Sequence, residues 1–330
     1  MRGDQSKRLT ILSEAEKTAL YGLPDFDDFR RIEFFAVTQA ERALAFVRKG
    51  LAAQLYCLLQ MGYFKAKHAF SRFSLDDATA QDIAFLVQRY FPGQVLAPQK
   101  VSDNERYLPR RKIAALLGFR LWSDEDLPGL LNKATLLVRM DVSPTFLLAE
   151  LTVFLVGQRI VQPGYTTLQD IIANALNAER ERLEQLVESA LTDATRVALQ
   201  ELLVRESTLS ELAALKQDAK SFRYHQMGLE RQKRLTLAPL YAIAKVLLPS
   251  LDISQLNIAY YASLANFYTI YDLRRFKSGK TNLYLLCYAW QRYRQLTDNV
   301  VEDFSYHTRH LEDDTKEVAN QQAAKIHNER

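Results

Sequence analysis

Residues 271–311 read YDLRRFKSGKTNLYLLCYAWQRYRQLTDNVVEDFSYHTRHL, and this stretch decides the fold class. Its apolar residues Leu283, Leu286, Ala289 and Tyr293 recur at spacings of three and four, the period of a helix that buries one face. Four cations in seven residues (Arg274, Arg275, Lys277, Lys280) precede that run, and an acidic tail closes it. A basic turn feeding a long helix is an ordinary way to hold a strand of phosphates. Cys287, Trp290 and Tyr293 are spaced for burial, so the helix reads as core and the cations as its phosphate-facing end.

Helix-start signals recur along the rest of the chain. Ser13–Glu16, Thr38–Glu41 and Thr208–Glu211 each place a hydroxyl three residues before a glutamate, the capping-box pattern. Ser143-Pro144 puts proline at the first helical position, where its missing N–H costs nothing. Stop signals fall at Leu23-Pro24, Gly50, Gly62, Pro92-Gly93, Gly118, Pro163-Gly164 and Pro249. Period-two alternation is nearly absent, and 11 Gly and 9 Pro are too few for a turn-rich β fold. The reading is all-α, with at least ten helices in two or three modules and helix-turn-helix-like DNA-binding elements. The blocks are residues 1–101, 102–162 and 163–330. The third contains a charged helix over 168–191, with Leu183, Leu186 and Val187 inward, and a helix over 253–272. The last ten residues, from Gln321, read as frayed.

Charge is segmental rather than extreme. The formal net charge is only +4 over 330 residues. Residues 219–295, however, carry twelve Lys and Arg against three acids, and residues 40–72 carry six against one. Residues 296–330 reverse the sign, with four bases against eight acids. Cys57 and Cys287 both sit in apolar helical runs, which reads as buried thiols in a reducing, cytoplasmic setting. The longest apolar stretch, residues 145–156, holds Glu150 and is too short to span a bilayer.

Two further stretches carry cations in suggestive places. Residues 107–120 (YLPRRKIAALLGFR) have the local look of a helix-turn-helix. Arg110, Arg111 and Lys112 fall in its first turn, Ile113, Leu116 and Leu117 on its inner face, and Gly118 at its tight turn. Two readings stay open: Arg110, Arg111, Lys112 and Arg120 contact backbone phosphates, or they form the charged end of a solvated surface helix. In residues 42–73, Arg48, Lys49, Lys65, Lys67 and Arg72 interleave with Tyr63, Phe64, Phe70 and Phe73. The rings read as core and the cations as phosphate contacts.

Catalytic signatures are missing. His307 and His310 stand one helical turn apart with no third ligand at metal spacing, so they read as solvated. A Tyr nucleophile among Tyr260, Tyr261, Tyr268 and Tyr271 would need a strand-containing domain and a spread-out Arg/His set upstream, and neither is visible. There is no phosphate-cradling glycine loop and no set of strands to project two-metal carboxylates.

Four stretches together resemble the N-terminal region of the Tn-three family of class II, cointegrate-forming replicative transposases. They are Leu12–Glu16 with Leu23-Pro24; Arg48-Lys49-Gly50 with residues 52–59; Arg111–Ala114 through Leu117–Arg120; and residues 283–288 with Arg292-Tyr293-Arg294 and Leu296-Thr297-Asp298. They cover nearly the whole chain in the family's order. The resemblance implies sequence-specific binding of double-stranded DNA at transposon terminal inverted repeats, and a possible homodimer. In that family a later ribonuclease-H-like domain holds the Asp-Asp-Glu triad and Mg²⁺. The expectation is therefore a fragment or truncated product without enzyme activity or a cofactor, bacterial and nucleoid-associated, with no membrane and no small-molecule substrate. The alternatives are a helical protein–protein interaction scaffold or a truncated regulator of transposition.

Overall fold

The computed structural model describes residues 9–97, 100–204, 210–219, 221 and 224–328. Among them the fold is all-α: fifteen α-helices, two short 3-10 turns and one isolated parallel bridge between Arg120 and Ile160. The first helices are α1 (Glu14–Tyr21), α2 (Asp28–Phe34), α3 (Gln39–Phe46), α4 (Leu51–Lys67), α5 (Ala80–Tyr90) and α6 (Asp103–Leu116). Next come α7 (Leu127–Met140), α8 (Pro144–Gly157), α9 (Tyr165–Ala190), α10 (Asp193–Glu201) and α11 (Glu211–Leu215). The last are α12 (Tyr224–Ser250), α13 (Gln255–Phe267), α14 (Ile270–Arg275) and α15 (Ser278–Asn328). The chain forms two compact units, Met1–Val138 with Ser143–Leu176, and Arg139–Val142 with Asn177–Arg330. No helix among the described residues is long and apolar enough to cross a membrane.

Sequence signals set most helix starts. Ser13 and Thr38 close full capping boxes with Glu16 and Glu41, and Pro144 opens α8 behind Ser143. The third box fell partly on Thr208, outside the described residues; Ser210 caps α11 by accepting from Ala213 N at 3.3 Å.

In the first unit α4 is the hub, packed against α2, α3, α5 and α6. Residues 55–64 of α4 are buried without a break, as in a helix enclosed by its neighbours. Tyr63, Phe64 and Phe73 are buried, and Phe70 packs on the same core. Gly62 is not a stop but lies inside α4, because the Phe35 ring occupies the space a side chain would need. A Cβ built there meets that ring at 2.2 Å. Helix propensity alone favours Gly62→Ala by about 1 kcal/mol. Phe35 cannot retreat, since it is wedged among Phe26, Tyr63 and Phe85. The clash therefore wins, and we expect Gly62→Ala to lower stability by about 1–3 kcal/mol. Urea unfolding checks this, and a variant as stable as the parent would contradict the packing.

In the second unit α15 takes the hub position against α10, α12 and α13. Residues 281–289 are all buried, Cys287 among them, and burial pushes its thiol far above the usual range. Cys57, in α4, is likewise buried and pushed up to about 12. Three sequence expectations need correction in this unit. Residues 253–272 are not one helix: α13 ends at Phe267, and Thr269 forms a capping box with Asp272 that starts α14. Leu186 on α9 is partly exposed, unlike the fully buried Leu183 and Val187. Residues 321–328 are helical rather than frayed, since α15 continues to Asn328; the chain's last two residues lie outside the described residues. Extension is cheap once a helix is nucleated in a packed core, and the added residues are mostly good helix formers.

Candidate nucleic-acid interface

The first cationic surface lies on α6 in the first unit. Ser102 caps the helix by accepting from Glu105 N, so the first turn holds Asp103 and Glu105, not the cations. Arg110, Arg111 and Lys112 therefore sit mid-helix. Ile113 and Ala114 face the core with Pro109, while Leu116 is 40% exposed rather than inward. Gln60 of α4 donates to the Arg106 carbonyl at 3.1 Å, tying α6 to the hub near the break that Pro109 makes in its hydrogen-bond ladder. Gly118, at φ 77°, makes the turn after the helix in a conformation other residues rarely adopt.

Arg110 is half-buried. It donates to the Ser71 carbonyl at 3.1 Å and lies over the Tyr107 and Phe70 rings at 4.7 and 5.4 Å. That bond brings Arg72 beside α6. Arg72, Arg111 and Lys112 are exposed and form no ion pair with the described residues. Lys49 is exposed too, while Arg48 turns inward to Glu105 at 3.6 Å.

The other sequence-chosen cations of this unit are engaged internally. Lys65 donates to the Ala36 carbonyl at 2.6 Å and to Glu41 at 2.9 Å. Lys67 donates to the carbonyls of Ala19 and Gly22 at 2.6 and 2.8 Å, holding the end of α1, and burial lowers its pKa. Arg120 makes a two-pronged bond to Asp126, one arm at 2.8 Å. These ammonium and guanidinium groups have less to offer a ligand.

The second cationic surface is in the second unit. Arg274 and Arg275 close α14, Lys277 follows it, and Lys280 sits in the first turn of α15. Arg274 bonds the Leu203 carbonyl. Arg275 lies over the Tyr271 ring at 5.3 Å, and Lys280 over the Phe276 ring at 3.9 Å. Gly279 permits a close approach to α9: a Cβ there would stand 3.0 Å from the Glu184 carbonyl oxygen.

Between α9 and the start of α15 lies an open groove of ≈ 710 Å³. Arg275, Lys277 and Lys280 stand on the α14–α15 wall, and Arg180, Glu181, Glu184 and Glu188 on the α9 wall. Burial raises the Glu184 carboxyl, and burial with the nearby Arg180 lowers Lys280. The α9 residues escaped sequence reading because nothing local links them to a turn almost a hundred positions away. Among the described residues no group of three or more His, Cys, Asp or Glu could hold a metal.

A family model described as a domain of unknown function (DUF4158) matches residues 11–175, half of the chain, and the chain belongs to that family. The match ends one residue before the first unit does and so takes in the α6 surface. No curated protein matches the chain.

Proposed function

We propose that this chain binds double-stranded DNA through its phosphate backbone, as the N-terminal region of a transposase of the Tn-three type that engages terminal inverted repeats. One observation carries the reading: Arg72, Arg111 and Lys112 stand exposed on and beside α6, and no carboxylate among the described residues pairs with them. Cations that a fold leaves unpaired are available to displace counterions from phosphates. The ordered motifs of the transposase resemblance support the reading, as does the occurrence of DUF4158 domains in transposase N-terminal regions. No chemical step is assigned to this chain. Exposed Leu108 and Leu116 flank the same cations and favour, as a second reading, a protein partner on that face.

The double variant Arg111→Glu with Lys112→Glu tests the first reading. Each phosphate contact contributes about 0.9 to the log–log salt slope. Loss of two should flatten that slope by about 2 and weaken binding of a transposon-end duplex at least about tenfold near 0.1 M salt. Fluorescence anisotropy across a salt series measures both. An unchanged slope and affinity in a variant with the parent's circular dichroism would defeat the proposal.

A further inference from the structure

Phe267, the last residue of α13, is 78% exposed, and Tyr271 in the first turn of α14 is 68% exposed. Neither ring serves the core or lines the groove itself, yet contacts link each of them to its cationic wall. Tyr271 lies under Arg275. Phe267 meets Tyr268 edge-on at 5.3 Å, and Tyr268 meets Phe276 at 4.9 Å, the ring that Lys280 covers. Rings and cations are thus linked, side chain to side chain, into a ledge beside the groove.

The two sides of the groove differ in sign. Three cations line the ledge side, while Glu181, Glu184 and Glu188 stand with Arg180 on α9. A duplex presents two lines of phosphate and would meet the acids with one of them. A single strand presents one line, which the ledge can take while its unpaired bases find flat apolar faces. Stacking on aromatic rings is the sequence-tolerant contact that single strands use and a paired duplex cannot offer.

We propose that this ledge binds single-stranded DNA, with phosphates on Arg275, Lys277 and Lys280 and bases stacked on Phe267 and Tyr271. The proposal rests on the reading of the chain as a DNA binder, and places unpaired nucleotides of a DNA end in the second unit.

The test is fluorescence anisotropy of the full chain with four labelled probes: an oligothymidine of about 16 nucleotides, an abasic oligomer and an oligouridine of equal length, and a duplex. Oligothymidine should bind at least about tenfold more tightly than the abasic strand, because only the bases differ. Phe267→Ala with Tyr271→Ala should lose at least about tenfold on oligothymidine and leave duplex affinity within about twofold. Tyr271→Phe, which keeps the ring, should bind as the parent does. Equal binding of oligothymidine and the abasic strand, or an unaffected double variant, would overturn the ledge. Oligouridine bound more tightly than oligothymidine would overturn its assignment to DNA. Duplex binding without single-strand binding defeats the ledge alone. Single-strand binding without duplex binding supports the ledge and defeats the duplex reading.

Discussion

Replacing Asp82 by alanine should destabilise the first unit by about 3–5 kcal/mol. Asp82, on α5, is completely buried and accepts from Arg31 Nε of α2 at 2.7 Å and from the Tyr63 hydroxyl of α4 at 2.8 Å. Three helices are joined through one carboxylate. Its removal leaves the Arg31 guanidinium, itself buried, with the exposed Asp28 at 2.8 Å as its one charge partner among the described residues. A surface ion pair is worth about 0–1 kcal/mol, so Asp28 offsets little of that loss. Replacing both charged groups, as Arg31→Met with Asp82→Leu, should regain most of the stability, because an uncompensated buried charge costs more than the pair contributes. Urea unfolding of the single and double variants decides it. A loss under about 1 kcal/mol for Asp82→Ala, or a double variant worse than the single, would contradict the account.

The second large effect belongs to Arg292 on α15, 5% exposed in the second unit. Its Nε donates to the Leu215 carbonyl at 3.0 Å and its Nη2 to the Gln217 carbonyl at 2.8 Å. Its Nη1 reaches Asp218 at 2.7 Å and Gln295 at 2.8 Å. One guanidinium therefore holds the end of α11 and the residues after it. A helix of five residues has no stability of its own, so α11 depends on this clamp and on burying Leu212 and Leu215. Arg292→Met keeps the length and removes every donor. Lys233 Nζ still donates to the Gln217 carbonyl at 2.7 Å, whereas the Leu215 carbonyl loses its donor at a cost of about 1–3 kcal/mol. With the bonds to Asp218 and Gln295 also gone, we expect a total loss of about 2–4 kcal/mol. Amide exchange should accelerate in residues 210–218 more than in α13 or the buried part of α15. Uniform acceleration, or none, would remove Arg292 from that role.

Both sites show where sequence reading stops. Helix starts were legible because a cap is a local event: Ser13 and Glu16 find each other in any context that lets the helix begin. The all-α class followed from periodicity, which a single helix displays by itself. Asp82 looks, in sequence, like an acid in the first turn behind Thr79, and it is that too. Its larger role is set by Arg31, 51 positions away, which no local pattern encodes. Lys65 and Lys67 failed to announce their inward bonds for the same reason, since their acceptors are carbonyls of residues 19, 22 and 36. Gly62 was misread because glycine ends helices and also makes room inside them, and only the Phe35 ring distinguishes the two. The basic turn at 274–280 was visible as charge, whereas its groove needed α9 as a second wall.

The most direct measurement is the affinity of the unmodified chain for a transposon-end duplex as salt rises from about 50 to 200 mM. Arg72, Arg111 and Lys112, unpaired among the described residues, predict a log–log slope of about −2.7 or steeper, at about −0.9 per phosphate neutralised. No binding at the lowest salt, or a slope near zero, would contradict the assignment of that surface to DNA.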